Sequence, residues 1–114
     1  MSIIRGLVRP VVRALTSTPL GLDGITLAFG AAEYTEGVDD DDVSLTVTEA
    51  SLNEDWSLSI TSSGGGDAVT ASGTVAAQDF TIGSLDLTGL DPGALTAVYS
   101  ENGIDRAIAT ATLN

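Results

Sequence analysis

The sequence predicts an all-β domain, a sandwich or barrel, and three observations lead there. From residue 20 onward, runs of alternating apolar and polar residues recur about every ten residues. A period of two is the strand period. Clusters of Gly, Asp, Asn, Ser and Pro separate the runs, as turns do. No run after residue 20 carries a helical period.

The last stretch, Leu85 to Asn114, carries the strongest signal. Leu95, Ala97 and Tyr99 alternate with Thr96, Val98 and Ser100. After Glu101-Asn102-Gly103-Ile104, a second run sets Ile104, Arg106, Ile108, Thr110 and Thr112 against Asp105, Ala107, Ala109, Ala111 and Leu113. Asn-Gly between two such runs marks a hairpin, because a type I′ turn needs positive φ at both central residues.

The remaining elements follow in order. Asp23-Gly24 is a turn signal, and Ile25 to Phe29 alternates as a strand. Ala31 to Asp42 reads as a solvated loop, since four consecutive aspartates repel one another and suit neither helix nor strand. Val43 to Thr48 is a strand with Val43, Leu45 and Val47 facing the core. Glu49 to Asp55 is a loop. Trp56 to Thr61 is a strand with Trp56, Leu58 and Ile60 on one face. Ser62 to Asp67, with three glycines, reads as a flexible loop, and Ala68 to Val75 as a strand. Asp79 to Leu87 is a strand with Phe80, Ile82, Leu85 and Leu87 as core candidates. Thr88 to Gly93 is a turn cluster that leads into the hairpin.

Residues 1–19 differ from the rest. They hold three of the four arginines, Arg5, Arg9 and Arg13, each after an apolar pair: Ile3-Ile4, Leu7-Val8 and Val11-Val12. An arginine every four residues leaves no apolar core for a signal peptide or a membrane span. Gly6 and Pro10 oppose an uninterrupted helix. The segment reads either as a terminal tail or as an anchor that inserts into a larger assembly. Thr16 to Pro19 is a linker. The domains expected are therefore an arm and linker over 1–19 and a sandwich over 20–114.

Composition limits the chemistry. The chain has 114 residues, 43% hydrophobic and 4% aromatic, so its core is aliphatic and large enough to fold alone. It has no Cys, His or Lys. That leaves no thiolate or imidazole for metal binding and none of the commonest bases and nucleophiles. No G-x-S-x-G elbow occurs, and nothing singles out a carboxylate pair among 16 acids. A non-enzymatic protein without a cofactor is expected. The net charge of −12 opposes nucleic acid and anionic membranes.

Three features carry a functional reading beside a plainer one. Asp39, Asp40, Asp41 and Asp42 are the first place to look for calcium, although the EF-hand pattern is absent. Ser62-Ser63-Gly64-Gly65-Gly66 lacks the lysine and following helix of a phosphate loop. Trp56 is either a core anchor or an exposed platform for a sugar.

The segment from Gly73 to Leu113 resembles the C-terminal half of bacterial immunoglobulin-like domains, found in large adhesins and phage virion proteins. Those carry an LDLSGLxDGxLT stretch followed by ATATxTL. Here Leu85-Asp86-Leu87-Thr88-Gly89-Leu90-Asp91-Pro92-Gly93-Ala94-Leu95-Thr96 and Ala109-Thr110-Ala111-Thr112-Leu113 stand in those places. Ser100-Glu101-Asn102-Gly103 replaces a longer loop whose aspartate helps bind calcium in some relatives. The opening Ile3-Ile4-Arg5-Gly6-Leu7-Val8-Arg9-Pro10 resembles the N-termini of small phage structural proteins.

These resemblances imply an immunoglobulin-like β-sandwich displayed on a virion surface. The expected role is a capsid decoration or head-fibre protein, with a tail or baseplate accessory protein next. Ile3, Ile4, Arg5, Leu7, Val8, Arg9, Val11, Val12 and Arg13 would dock on other virion proteins. A homo-oligomer is expected, and a trimer would suit such proteins. A glycan or cell-surface recognition module is the reading from another class. An adhesin-array fragment fits less well with an initiator Met1 and no signal peptide.

Overall fold

The computed structural model describes residues 24–114. They form eight strands: β1 (Thr26–Phe29), β2 (Glu33–Tyr34), β3 (Val43–Thr48), β4 (Asp55–Ser62), β5 (Val69–Thr74), β6 (Phe80–Leu85), β7 (Gly93–Glu101) and β8 (Ile104–Leu113). One sheet has the order β1-β3-β6 and the other β2-β8-β7-β4-β5. The strands after β2 thus order as B, E and G, F, C, C′ of an immunoglobulin sandwich, with β1 as strand A. All pairings are antiparallel except β2 on β8.

The alternation expected from the sequence sets the core. Val43, Leu45 and Val47 of β3 join Leu58 and Ile60 of β4, Leu95, Ala97 and Tyr99 of β7, and Ala107, Ala109, Ala111 and Leu113 of β8 in one buried cluster. Leu85, Leu87 and Leu90 are buried in the same cluster. The core is aliphatic because so few aromatics exist to fill it. Small Ala107, Ala109 and Ala111 on β8 let the sheets close over the bulkier β7 side chains.

Asn102 and Gly103 have φ of 52° and 79°, the paired positive values of a type I′ turn. Asp86 opens the turn before β7. Its carboxylate accepts the Thr88 hydroxyl at 2.7 Å and the Thr88 amide at 3.0 Å. Those two bonds, the hydroxyl first, hold it below the usual carboxylate range.

The structure corrects three local expectations. The Ala31 to Asp42 loop contains β2, two residues paired with Thr112 and Leu113. Tyr34 anchors it in the core, its hydroxyl accepting the Ala31 amide at 3.1 Å. The glycine loop at 64–66 is docked on the turn before β7 rather than free. Asp91 N donates to Gly65 O at 3.0 Å and Asp67 N to Gly89 O at 3.1 Å. A Cβ on Gly64 would collide with the Pro92 carbonyl oxygen, so close approach explains the glycine. Finally, Asp40 is 2% exposed, whereas Asp39, Asp41 and Asp42 are exposed as expected.

Candidate functional site

The strand registers give the sandwich two poles. β1 begins beside the end of β3, with Thr26 opposite Thr48. β4 begins beside the end of β7, with Trp56 opposite Glu101. The chain therefore enters at the pole that holds loop 49–54 and the Asn102-Gly103 turn. β8 runs ten residues away from that turn, about 33 Å at the strand rise. It ends at the opposite pole, where Glu36 N donates to Asn114 O at 2.8 Å.

The N-terminal pole is built around a buried carboxylate. Glu101 is 1% exposed. Its Oε2 accepts the Tyr99 hydroxyl at 2.7 Å and the Ser51 amide at 2.9 Å. Its Oε1 has no hydrogen-bond partner. Burial, then the bond to Glu101, then its negative charge raise the Tyr99 hydroxyl well above the usual tyrosine range. Nearby, Asn102 N donates to Asp55 O at 2.8 Å, and the Asn102 side-chain amide bonds the Glu54 carboxylate. This network ties loop 49–54 to the hairpin tip. Sequence reasoning missed it, although the alternation Leu95, Ala97, Tyr99 continues inward to residue 101.

Trp56 sits at the rim of the core beside this network. It is half-buried, with ring centroids 5.7 Å from Phe80 and 6.4 Å from Tyr99. A Cβ on Gly73 would lie 2.9–3.1 Å from the indole, so the ring fills the place of a missing side chain on β5. That is the core-anchor arrangement rather than a free platform.

The C-terminal pole holds the acidic loop. Asp39 Oδ1 accepts the Thr35 amide at 2.7 Å, and Asp40 Oδ1 accepts the Gly37 amide at 3.1 Å. The aspartates thus serve the loop's own backbone as turn acceptors. Among the described residues no three acids gather as a metal site would require. An open groove of about 390 Å³ runs along Leu27, Phe29, Ala31, Ala32, Ala109 and Thr110. Its lining offers methyl groups, an aromatic ring and one hydroxyl, and no titratable side chain.

The arm residues Ile3, Ile4, Arg5, Leu7, Val8, Arg9, Val11, Val12 and Arg13 lie outside the described residues. The first described residue, Gly24, lies at the N-terminal pole, where a Cβ on it would be 3.0 Å from Glu49 Oε1. Among the described residues only three large apolar side chains are exposed, and all sit at the poles. Leu52 (49%) and Ile104 (56%) are at the N-terminal pole, and Val38 (74%) is at the other.

No protein-family model and no curated protein matches the chain. Among solved structures, it is similar to the tetra-tandem repeat in the extending region of a large adhesion protein. That match has 26% identity and a TM-score of 0.54 over 79% of this chain and 24% of the other. A Pseudomonas fluorescens alkylpurine DNA glycosylase, AlkC, bound to DNA containing an abasic site analogue, also aligns. Its identity is 16% and its TM-score 0.48, over 79% of this chain and 30% of that one. The second likeness carries no functional weight. The chain spans about a quarter of the adhesion-protein structure, the share of one repeat in four.

Proposed function

We propose that this chain is a non-enzymatic structural module of a surface assembly. The sandwich is a rigid acidic spacer, and the basic apolar arm fixes it to its support. The observation that carries this reading is the polarity of the molecule. Residues 1–22 hold three arginines and no acid, a net +3. Residues 24–114 hold one arginine against the 15 acids that remain after Asp23, a net −14. The acidic body begins with Gly24 at one pole and ends with Asn114 at the other.

Within this reading, a capsid decoration or head-fibre protein on a virion surface is the form that the sequence resemblance supports. A tail or baseplate accessory protein is the next. An acidic exterior keeps such particles apart by like-charge repulsion.

The test replaces Arg5, Arg9 and Arg13 together by glutamate in the full chain. Co-sedimentation with purified particles should fall at least about tenfold, because three charge-assisted contacts turn repulsive. Unchanged binding would end the anchoring idea.

A second reading rests on the adhesion-protein similarity. Gly24 and Asn114 at opposite poles of the sandwich would let modules follow one another along a line, as one link in an extended array. Small-angle scattering from two copies joined C- to N-terminus separates the cases. A rod of twice the module's length supports the array, and a collapsed or folded-back pair opposes it.

A further inference from the structure

The two sheets have four edge strands: β1 and β6 in one, β2 and β5 in the other. An edge strand offers unpaired backbone groups to any other strand, and proteins guard such edges by shortness, bulges, charge or cover. Three of the four are guarded. β2 is two residues long and β1 is four, lying against β8. β6 carries a bulge: Val43 pairs with Leu85 but Leu45 with Ile82, and Ser84 within the bulge has φ of 56°.

Among the described residues, β5 has none of these devices. It pairs with β4 over six consecutive residues, Val69–Thr74 against Asp55–Ile60, without a register shift. Among the described residues β4 is its only hydrogen-bonded neighbour strand. Its sequence, VTASGT, contains no charge and no proline. Thr70, Ser72, Gly73 and Thr74 are exposed.

We infer that β5 is a self-association edge, and that its partner is β5 of a second copy of this chain. The charge distribution selects the partner. On a body of net −14, a two-fold contact between copies generally sets acid against acid. β5 avoids this. In an antiparallel pair about a two-fold axis at Ser72, the exposed face matches Ser72 with Ser72 of the second copy and Thr70 with Thr74. Ala71 meets Gly73 on the inner face. Within the six paired residues no acid meets an acid, and cross-strand hydroxyl pairs are themselves favourable. The result is one continuous ten-stranded sheet with an isologous, closed interface.

Six residues of edge make a small interface, well below the roughly 1,600 Å² of a standard one, so the free dimer is weak. Copies held side by side on a support experience millimolar effective concentrations, where a weak edge pairs. β5 shares no residue with the arm, and the inference does not depend on what the arm binds.

The test is light scattering on the full chain over a concentration series reaching about 1 mM, a range suited to small interfaces. The expected result is a reversible monomer–dimer equilibrium. Ser72→Lys sets two ammonium groups opposite each other and should weaken the dimer by about tenfold or more. Ser72→Cys, in a chain without other cysteines, should yield a disulfide-linked dimer on mild oxidation, and Thr110→Cys on β8 should not. The Arg5, Arg9, Arg13→Glu variant should dimerise as the parent does. Monomers at every concentration would overturn the proposal. So would a dimer that survives Ser72→Lys while Ser72→Cys fails to cross-link.

Discussion

At the scale of single residues, the largest electrostatic commitment is Glu101. A carboxylate removed from water loses several kcal/mol of hydration, and only hydrogen bonds or a neighbouring charge offset that loss. Here the offset comes from the Tyr99 hydroxyl and the Ser51 amide, both on Oε2. Removing the hydroxyl leaves a buried charge with a single donor. Tyr99→Phe should therefore lower stability by about 1–3 kcal/mol, measured by urea unfolding at neutral pH. The pH dependence follows from the same pair. Folding raises the Tyr99 titration above its ordinary value of 10.0, so the folded state holds this proton more tightly than the unfolded chain. Its contribution is complete below pH 10 and declines as the pH climbs toward the raised value. The parent should lose stability along that alkaline limb, and the Tyr99→Phe variant should show a flatter one. Equal slopes for both would remove the tyrosine from the account.

At the scale of elements, glycines separate close packing from looseness. The backbone of Gly64 lies against Pro92, and that of Gly66 against Gly89 and Leu90. A methyl group at Gly64 has nowhere to go without moving backbone. Gly64→Ala should cost about 1–3 kcal/mol, the usual price of overpacking. Gly83, in the β6 bulge, has open space around its missing Cβ and a negative φ. Gly83→Ala should unfold at nearly the parental urea concentration or slightly above it, because alanine lowers the unfolded chain's entropy, and comparable losses at both positions would mean that the close approach at Gly64 does not set the cost.

The same contrast shows what the sequence reveals about elements. Turn chemistry is local, so the Asn102-Gly103 hairpin and the alternation of β3, β4, β7 and β8 are legible from residue order. The docking of Gly64–Gly66 depends on a segment some 25 residues later, so three glycines in a row read as slack. β2 is too short to show a period, and only a tyrosine set among acids hints at its burial. Trp56 was readable as a core anchor by type. Gly73, which makes room for it, was not, because cross-strand register is a tertiary fact.

At the scale of the whole molecule, the acidic body and its two poles follow from composition and topology together. The charge was legible, and the position of Gly24 and Asn114 at opposite ends required the strand registers. A body of net −14 with a single arginine stores like-charge repulsion that the compact state concentrates and the unfolded chain relaxes. Screening relieves it: the Debye length falls from about 10 Å at 0.1 M salt to about 3 Å at 1 M. Stability should therefore rise steadily with sodium chloride, read as the thermal midpoint of the full chain. If screening is the whole effect, the rise should track ionic strength alone. Sodium, magnesium and calcium chlorides at matched ionic strength should give midpoints that agree closely. A saturable excess with calcium at low millimolar levels would place a cation on Asp39 to Asp42, where the Thr35 and Gly37 amides now occupy one carboxylate oxygen each of Asp39 and Asp40. That loop closes the pole through Glu36 and Asn114, so a calcium-driven rearrangement there would appear as a change in amide exchange confined to residues 33–42 and the end of β8. Uniform protection with salt, and no such local change, is the result that general screening requires.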